Sequence, residues 1–143
     1  MTPKLHANLR VLDLVNICKL SMDELFVLTG KSELKEAVRV IHDIGVETII
    51  VTMGAQGSLL SVEGVCYSVP ACSPAVVVDP TGAGDVFIGA FLAEYLNGKD
   101  TLWCTSVGSA AASFVVEIIG SAYIGTKNQI YQRAQTIVGT EVK

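Results

Sequence analysis

Four apolar residues, Ala75–Val78, run without a break into Asp79-Pro80-Thr81-Gly82-Ala83-Gly84-Asp85, and a helical pattern begins directly after. An extended apolar run that turns on two glycines into a helix is a strand–turn–helix unit, and such units bury their faces by sharing a sheet covered with helices. The same alternation recurs along the chain. A loop and then a helix are expected before Asn16, and Ile17–Leu20 reads as a short strand. Ser21 is placed to cap a helix over Met22–Thr29 that Gly30 stops. Ser32 is placed to cap a second, in which Leu34, Ala37, Val38, Ile41 and Ile44 share one face and Gly45 ends the pattern. Glu47–Met53 is a β-branched strand, and Ser58–Val62 with Val65–Val69 form a hairpin about Glu63-Gly64. Helices follow over about Val86–Leu96, Thr101–Ile119 and Asn128–Val138. The expectation is an α/β chain with a mostly parallel sheet.

Composition removes other classes. Half of the 143 residues are hydrophobic, which is too many for a disordered chain and enough for one ordinary core. A net charge of −4 without a Lys/Arg block, and only 6% aromatic residues, argue against a nucleic-acid partner. Mean hydropathy of +0.50 raises the question of a membrane. The longest charge-free stretch, Thr101–Val116, has 16 residues, short of the roughly 20 a spanning helix needs. The apolar excess therefore fits strands covered on both faces. No basic start with an apolar segment behind it opens the chain, so no secretory signal is expected. Cys18, Cys66, Cys72 and Cys104 show no CxxC pairing, and His6 and His42 adjoin none of them. They read as reduced, mostly buried thiols of a cytoplasmic protein rather than zinc ligands.

The glycine turn has chemistry of its own. Amides at a helix start lack internal partners, the helix dipole there favours negative charge, and Gly82 and Gly84 let an anion approach the backbone. Asp85 would repel a phosphate that was merely bound. It makes sense as a base taking a proton from a hydroxyl that attacks phosphorus, and equally as a residue that screens the helix start. The residues alone leave the two open.

Asp79–Asp85, followed by Val86-Phe87-Ile88-Gly89-Ala90-Phe91, resembles the C-terminal signature of the ribokinase-like (PfkB) family of sugar and nucleoside kinases, D-T-x-G-A-G-D. Pro80 stands where threonine is usual; it stiffens the turn and removes no catalytic group. The resemblance implies that Asp85 is the catalytic base and that the amides of Gly82, Ala83 and Gly84 form an anion hole for the transferred phosphoryl group. Thr52-Met53-Gly54-Ala55-Gln56-Gly57 resembles the family's T-x-G-x-x-G turn, which implies nucleotide contacts at Thr52, Gly54 and Gly57. A plain turn between strands would explain the same residues. Ser109 falls where the family often has Asn or His near the nucleotide, and Gly120 matches a glycine after that helix. Asp79 and Thr81 match positions that in some members help hold a potassium ion. The family's N-x-x-E box, tied to magnesium and phosphate, appears as Ser21-Met22-Asp23-Glu24, with Ser21 replacing Asn and Glu24 kept. The same residues spell a capping box, S-x-x-E, and both roles can hold together.

The implied fold is the three-layer αβα ribokinase-like architecture, with residues 1–143 as its C-terminal, ATP-binding and catalytic-base portion. Family members are roughly twice as long, and their N-terminal half grips the sugar or nucleoside. The implied function is ATP-dependent, Mg2+-assisted phosphotransfer to an alcohol group, with little activity in this portion alone. Exposed apolar edges would then drive self-association or pairing with an N-terminal segment. The alternative is a non-catalytic nucleotide-binding or scaffold module that keeps the fold. A dinucleotide-binding Rossmann reading fails, because the glycines are too few for G-x-G-x-x-G.

Overall fold

The computed structural model describes residues 9–72, 77–119 and 123–143. They group into two compact units. The first is built from residues up to Met53, Ser58–Tyr67 and Glu141–Lys143, the second from Gly54–Gly57 and Ser68–Thr140.

In the first unit, strands β1 (Ile17–Ser21) and β2 (Thr48–Thr52) pair in parallel, from Ile17 opposite Thr48 to Ser21 opposite Thr52. Strand β3 (Ser58–Val62) runs antiparallel to β2, with Thr48 opposite Val62 and Thr52 opposite Ser58. With β4 (Val65–Val69) and β5 (Thr140–Val142) the sheet order is β1-β2-β3-β4-β5. The sheet is thus mixed: parallel pairing holds at β1–β2, whereas the short connections after β2 and β3 allow only antiparallel neighbours. β5 was not expected from sequence, since Thr140-Glu141-Val142 has no apolar run to mark it. Ile49, Ile50 and Val51 are all fully buried, as a strand covered on both faces requires.

Helices α1 (Met22–Thr29) and α2 (Leu34–Ile44) supply Leu25, Ala37, Val38 and Ile41 to a core shared with Cys18, Ile49, Val51 and Leu59. α1 has the anticipated ends, a capping box at Ser21 and a left-handed Gly30 with φ 68°. α2 is capped by Glu33 rather than Ser32. Two carboxylate oxygens accept from the amides of Lys35 (3.1 Å) and Glu36 (2.8 Å), satisfying two orphan donors where one hydroxyl would meet one. Before β1, Leu9 and Arg10 are helical, as expected there, and a 3-10 turn, Val11–Leu14, follows and buries only Leu12.

The second unit is built on α3 (Ala83–Leu96), α4 (Thr101–Val115) and α5 (Lys127–Ala134). α3 starts three residues earlier than its apolar pattern, because Ala83-Gly84-Asp85 are themselves its first turn. A Cβ on Gly108 would lie 2.9 Å from the Phe87 carbonyl, so glycine there lets α4 approach α3 closely. Buried Glu94 of α3 accepts from Trp103 Nε1 of α4 (2.9 Å) and Tyr131 Oη of α5 (2.6 Å), tying the three helices. α4 stops at Val115, short of Ile119, and α5 at Ala134, short of Val138.

Of the expected strand Ala75–Val78, Ala75 and Val76 lie outside the described residues, as does Gly120. Val77 and Val78 are exposed and not in a strand. The amides of Val78 (2.6 Å) and Asp79 (3.2 Å) instead donate to the carbonyl of Val116, fastening this segment to the end of α4. Among the described residues no helix is long and apolar enough to cross a membrane.

Candidate functional site

The second unit presents the turn that leads into α3. Asp79 Oδ1 accepts from the amide of Thr81 at 3.0 Å, an Asx turn that starts the loop. The Ala83 amide then donates to the Pro80 carbonyl at 3.2 Å, closing a β-turn whose third residue, Gly82, has φ 82° and ψ −4°. Only glycine adopts that conformation without strain. The first intrahelical bond is Val86 N to Gly82 O, 3.1 Å. The amides of Gly84 and Asp85 therefore have no intrahelical acceptor, and the N-cap, Gly82, has no side chain to cap them. The Ala83 amide is engaged by the Pro80 carbonyl, so of the amides at this helix start those of Gly84 and Asp85 carry no backbone hydrogen bond among the described residues. The Asp85 side chain is exposed within that same first turn, where the helix dipole supports its negative charge.

Ser109 of α4 is half-buried, and its hydroxyl accepts from the Cys72 amide at 3.3 Å. Gly54 and Gly57 bracket a 3-10 turn closed by Gly57 N to Gly54 O at 3.1 Å. Their glycines have different causes. A Cβ on Gly57 would run into the carbonyl of Val69 and the backbone of Ala71, so Gly57 serves close packing. Gly54, φ 57°, faces open space, which leaves its backbone approachable.

The first unit gathers Ser21, Glu24 and Thr52. The parallel register sets Ser21 beside Thr52 at the C-terminal ends of β1 and β2, the end of parallel strands where α/β proteins bind ligands. Thr52 Oγ1 donates to the Leu20 carbonyl at 3.4 Å. Ser21 N donates to Glu24 Oε2 at 2.7 Å and Glu24 N to Ser21 Oγ at 3.2 Å, which is the capping box. Hydrogen bonding from Ser21 to the carboxylate, by its backbone amide first and its hydroxyl second, holds the Glu24 carboxyl below its ordinary range. The side chain is exposed and ionised, so it can still face a cation.

Among the described residues no three His, Cys, Asp or Glu side chains converge as a metal cage. A site with one carboxylate suits Mg2+, which keeps waters and takes its other ligands from phosphates. A feature not read from sequence is a cavity of about 800 Å3 in the second unit, lined by Pro70–Cys72, Phe114, Gln129 and Arg133. Arg133 stacks 3.5 Å from the Phe114 ring centre, with Nη1 2.8 Å from both Glu117 Oε1 and Ser113 Oγ. Its walls come from three separate stretches of chain with no motif spacing.

The model of the pfkB carbohydrate kinase family matches residues 2–127. The chain is 35% identical over 96 residues to a cytidine kinase of Thermococcus kodakarensis, covering 66% of this chain and 34% of the relative. It superimposes on the Arabidopsis thaliana ribokinase complexed with ribose and ATP with a TM-score of 0.80 and 30% identity, over 87% of this chain and 42% of that one. It superimposes on the Methanocaldococcus jannaschii nucleoside kinase, an archaeal member of the ribokinase family, with a TM-score of 0.80 and 27% identity. That match covers 92% of this chain and 44% of the other. The chain spans about a quarter to a third of the length of the curated relatives it matches.

Proposed function

This chain belongs to the pfkB family of carbohydrate kinases, and from that premise we propose that it is the nucleotide-binding, catalytic-base part of an enzyme that moves the γ-phosphoryl group of ATP to an alcohol group of a sugar or nucleoside. The observation that carries the reading is the left-handed Gly82 leading into α3, with amides at Gly84 and Asp85 that have no intrahelical acceptor. Phosphoryl transfer asks little covalent chemistry of a protein beyond position and charge. In this reading the turn amides hold the phosphoryl oxygens, and Gly82 lets them come close. The Asp85 carboxylate takes the proton from the acceptor hydroxyl as its oxygen bonds to phosphorus and ADP leaves. Thr52, Gly54, Ser109 and the Ser21 hydroxyl belong to the nucleotide side of the same proposal, and Glu24 to its magnesium and water network. Mg2+, when bound, neutralises charge developing on the phosphates. A potassium site at Asp79 and Thr81 and a cytoplasmic location rest on the resemblance.

Val11, Leu14, Val27, Leu96 and Ile119 are large apolar side chains with more than half their surface exposed. β1 stands at the end of the strand order. Both support pairing with a further segment or a second copy.

The test is calorimetric titration of the 143-residue chain with a non-hydrolysable ATP analogue and Mg2+. Saturable binding that weakens about tenfold or more in Gly82→Val, with little change in Asp85→Asn, is expected; φ 82° strains any β-branched residue. Binding indifferent to Gly82→Val refutes the anion hole. Absence of binding by the folded chain means that the pocket needs the further segment, or that the chain keeps the fold without the function.

A further inference from the structure

The first unit holds another cavity, of about 560 Å3, at the opposite end of β2 from Thr52. His42 of α2 and Cys66 of β4 line it together with Ser61 of β3. The two-residue turn at Glu63-Gly64 sets Ser61 and Cys66 across the hairpin. His42 Nδ1 lies 2.7 Å from the Val46 carbonyl, which can only accept, so Nδ1 carries the hydrogen. In the neutral ring Nε2 is then a bare acceptor, 2.7 Å from Ser61 Oγ. Ser61 Oγ in turn accepts from the Cys66 thiol at 3.5 Å. Donors and acceptors thus run one way, from thiol to hydroxyl to imidazole to carbonyl.

We propose that Cys66 is a modification site, a thiol oxidised by hydroperoxides with His42 as its base and Ser61 as the relay. Ser61 is fully buried and cannot itself meet a reagent, whereas Cys66 is half-buried on the cavity wall. The surrounding charges balance: Lys35, Arg39 and Lys143 against Asp43, Glu47 and Glu63. The relay, not a net positive field, is therefore what sets Cys66 apart. The thiol proton passes to Ser61 Oγ as the Ser61 proton passes to His42 Nε2, leaving thiolate and imidazolium. The thiolate attacks one peroxide oxygen, the S–O bond forms and the O–O bond breaks. The departing hydroxide takes the proton back from the imidazolium through Ser61, giving sulfenic acid and water. The other cysteines supply internal comparisons. Burial pushes the thiols of Cys18 and Cys104 up, the latter to about 11. Cys72 is as half-buried as Cys66 but has no such relay among the described residues.

The experiment treats the 143-residue chain with hydrogen peroxide in the presence of dimedone and maps labelling of each cysteine by mass spectrometry. Cys66 is expected to label about tenfold faster than Cys72 at neutral pH, the gain being a modest share of what a positioned base supplies. Ser61→Ala and His42→Gln should each bring Cys66 to the Cys72 rate and leave Cys72 unchanged. A wild-type Cys66 no faster than Cys72 overturns the proposal whatever the variants do, and so does a Cys66 rate that survives both substitutions. Should His42→Gln lose its fold by circular dichroism, the smaller change Ser61→Ala decides; should both unfold, the wild-type ratio decides.

Discussion

Replacing Tyr131 with Phe removes one hydroxyl and keeps the ring that meets Trp103 edge-on, centroids 5.4 Å apart. The lost bond is the 2.6 Å donation to Glu94 Oε1, a carboxylate only 6% exposed. Hydrogen bonds to charged groups contribute about 1.5–3 kcal/mol. Glu94 keeps Trp103 Nε1 on its other oxygen, so the lower end applies. The ionisation of Tyr131 reflects the same bond. Its hydroxyl is pushed up to about 12, first by the bond to Glu94, then by burial, then by the Glu94 charge. Against an ordinary tyrosine near 10, two units correspond to about 2.7 kcal/mol, which solvent screening of this outer hydroxyl cuts by roughly half. Both routes give about 1.5 kcal/mol for Tyr131→Phe at pH 7, a shift in the urea midpoint of about 0.5–1 M. Because the folded state holds the proton more tightly than the unfolded one, this stabilisation is complete below about pH 10 and is lost as pH rises through about 12. Urea titrations of both proteins, with tyrosinate absorbance followed over the same pH range, check it. Equal stability at pH 7, or a gap that stays constant to pH 12, would refute the reasoning. The result bears on function, because Glu94 anchors the far half of the helix whose first turn carries Asp85.

Glu24 behaves in the opposite sense: its folded carboxyl lies below the ordinary range, so the cap contributes above about pH 4.3 and fades as pH falls through the lowered value. Glu24→Gln should keep a cap yet flatten that acid limb in thermal melts, and an unchanged limb would show that the capping carboxylate is not its source. Gly57→Ala should destabilise more than Gly54→Ala. Both need a left-handed residue, at about 1–2 kcal/mol, but only Gly57 would also drive a Cβ into the Val69 carbonyl, adding about 1–3 kcal/mol. Denaturant midpoints in the reverse order would contradict the assigned packing.

What was legible in the sequence was what neighbouring residues settle among themselves. Ser21-x-x-Glu24 and Gly30 fix both ends of α1, since the cap bonds join residues three apart and the left-handed stop needs only a missing Cβ. The turn into α3 is local in the same way, from the Asx turn at Asp79 to the Gly82 conformation. Less legible were features decided at a distance or by competition. Ser32 and Glu33 are both plausible caps for α2, and the longer carboxylate wins by reaching two amides. The direction of β3 depends on the short excursion Met53–Gly57, which permits a return beside β2 but no crossover. Val77 and Val78 look like strand by composition, yet their neighbourhood supplies a helix-end carbonyl at Val116 instead of a strand edge.

The candidate site divides along the same line. Motif matching treats Gly54 and Gly57 as one signal, while the backbone gives each a separate reason, open approach at one and close packing at the other. It treats residues 82–84 as three equivalent donors, while the β-turn consumes the amide of Ala83 and leaves those of Gly84 and Asp85. Conversely, the 31-residue gap between Ser21 and Thr52 says nothing by itself, and the parallel register makes them neighbours beside Glu24. A pattern written along the chain marks which residues have the right chemistry. Which of their atoms remain free to use it is decided by hydrogen bonds that the fold spends first, and at this turn that choice falls on the amides of Gly84 and Asp85, in the same first helical turn as the Asp85 side chain.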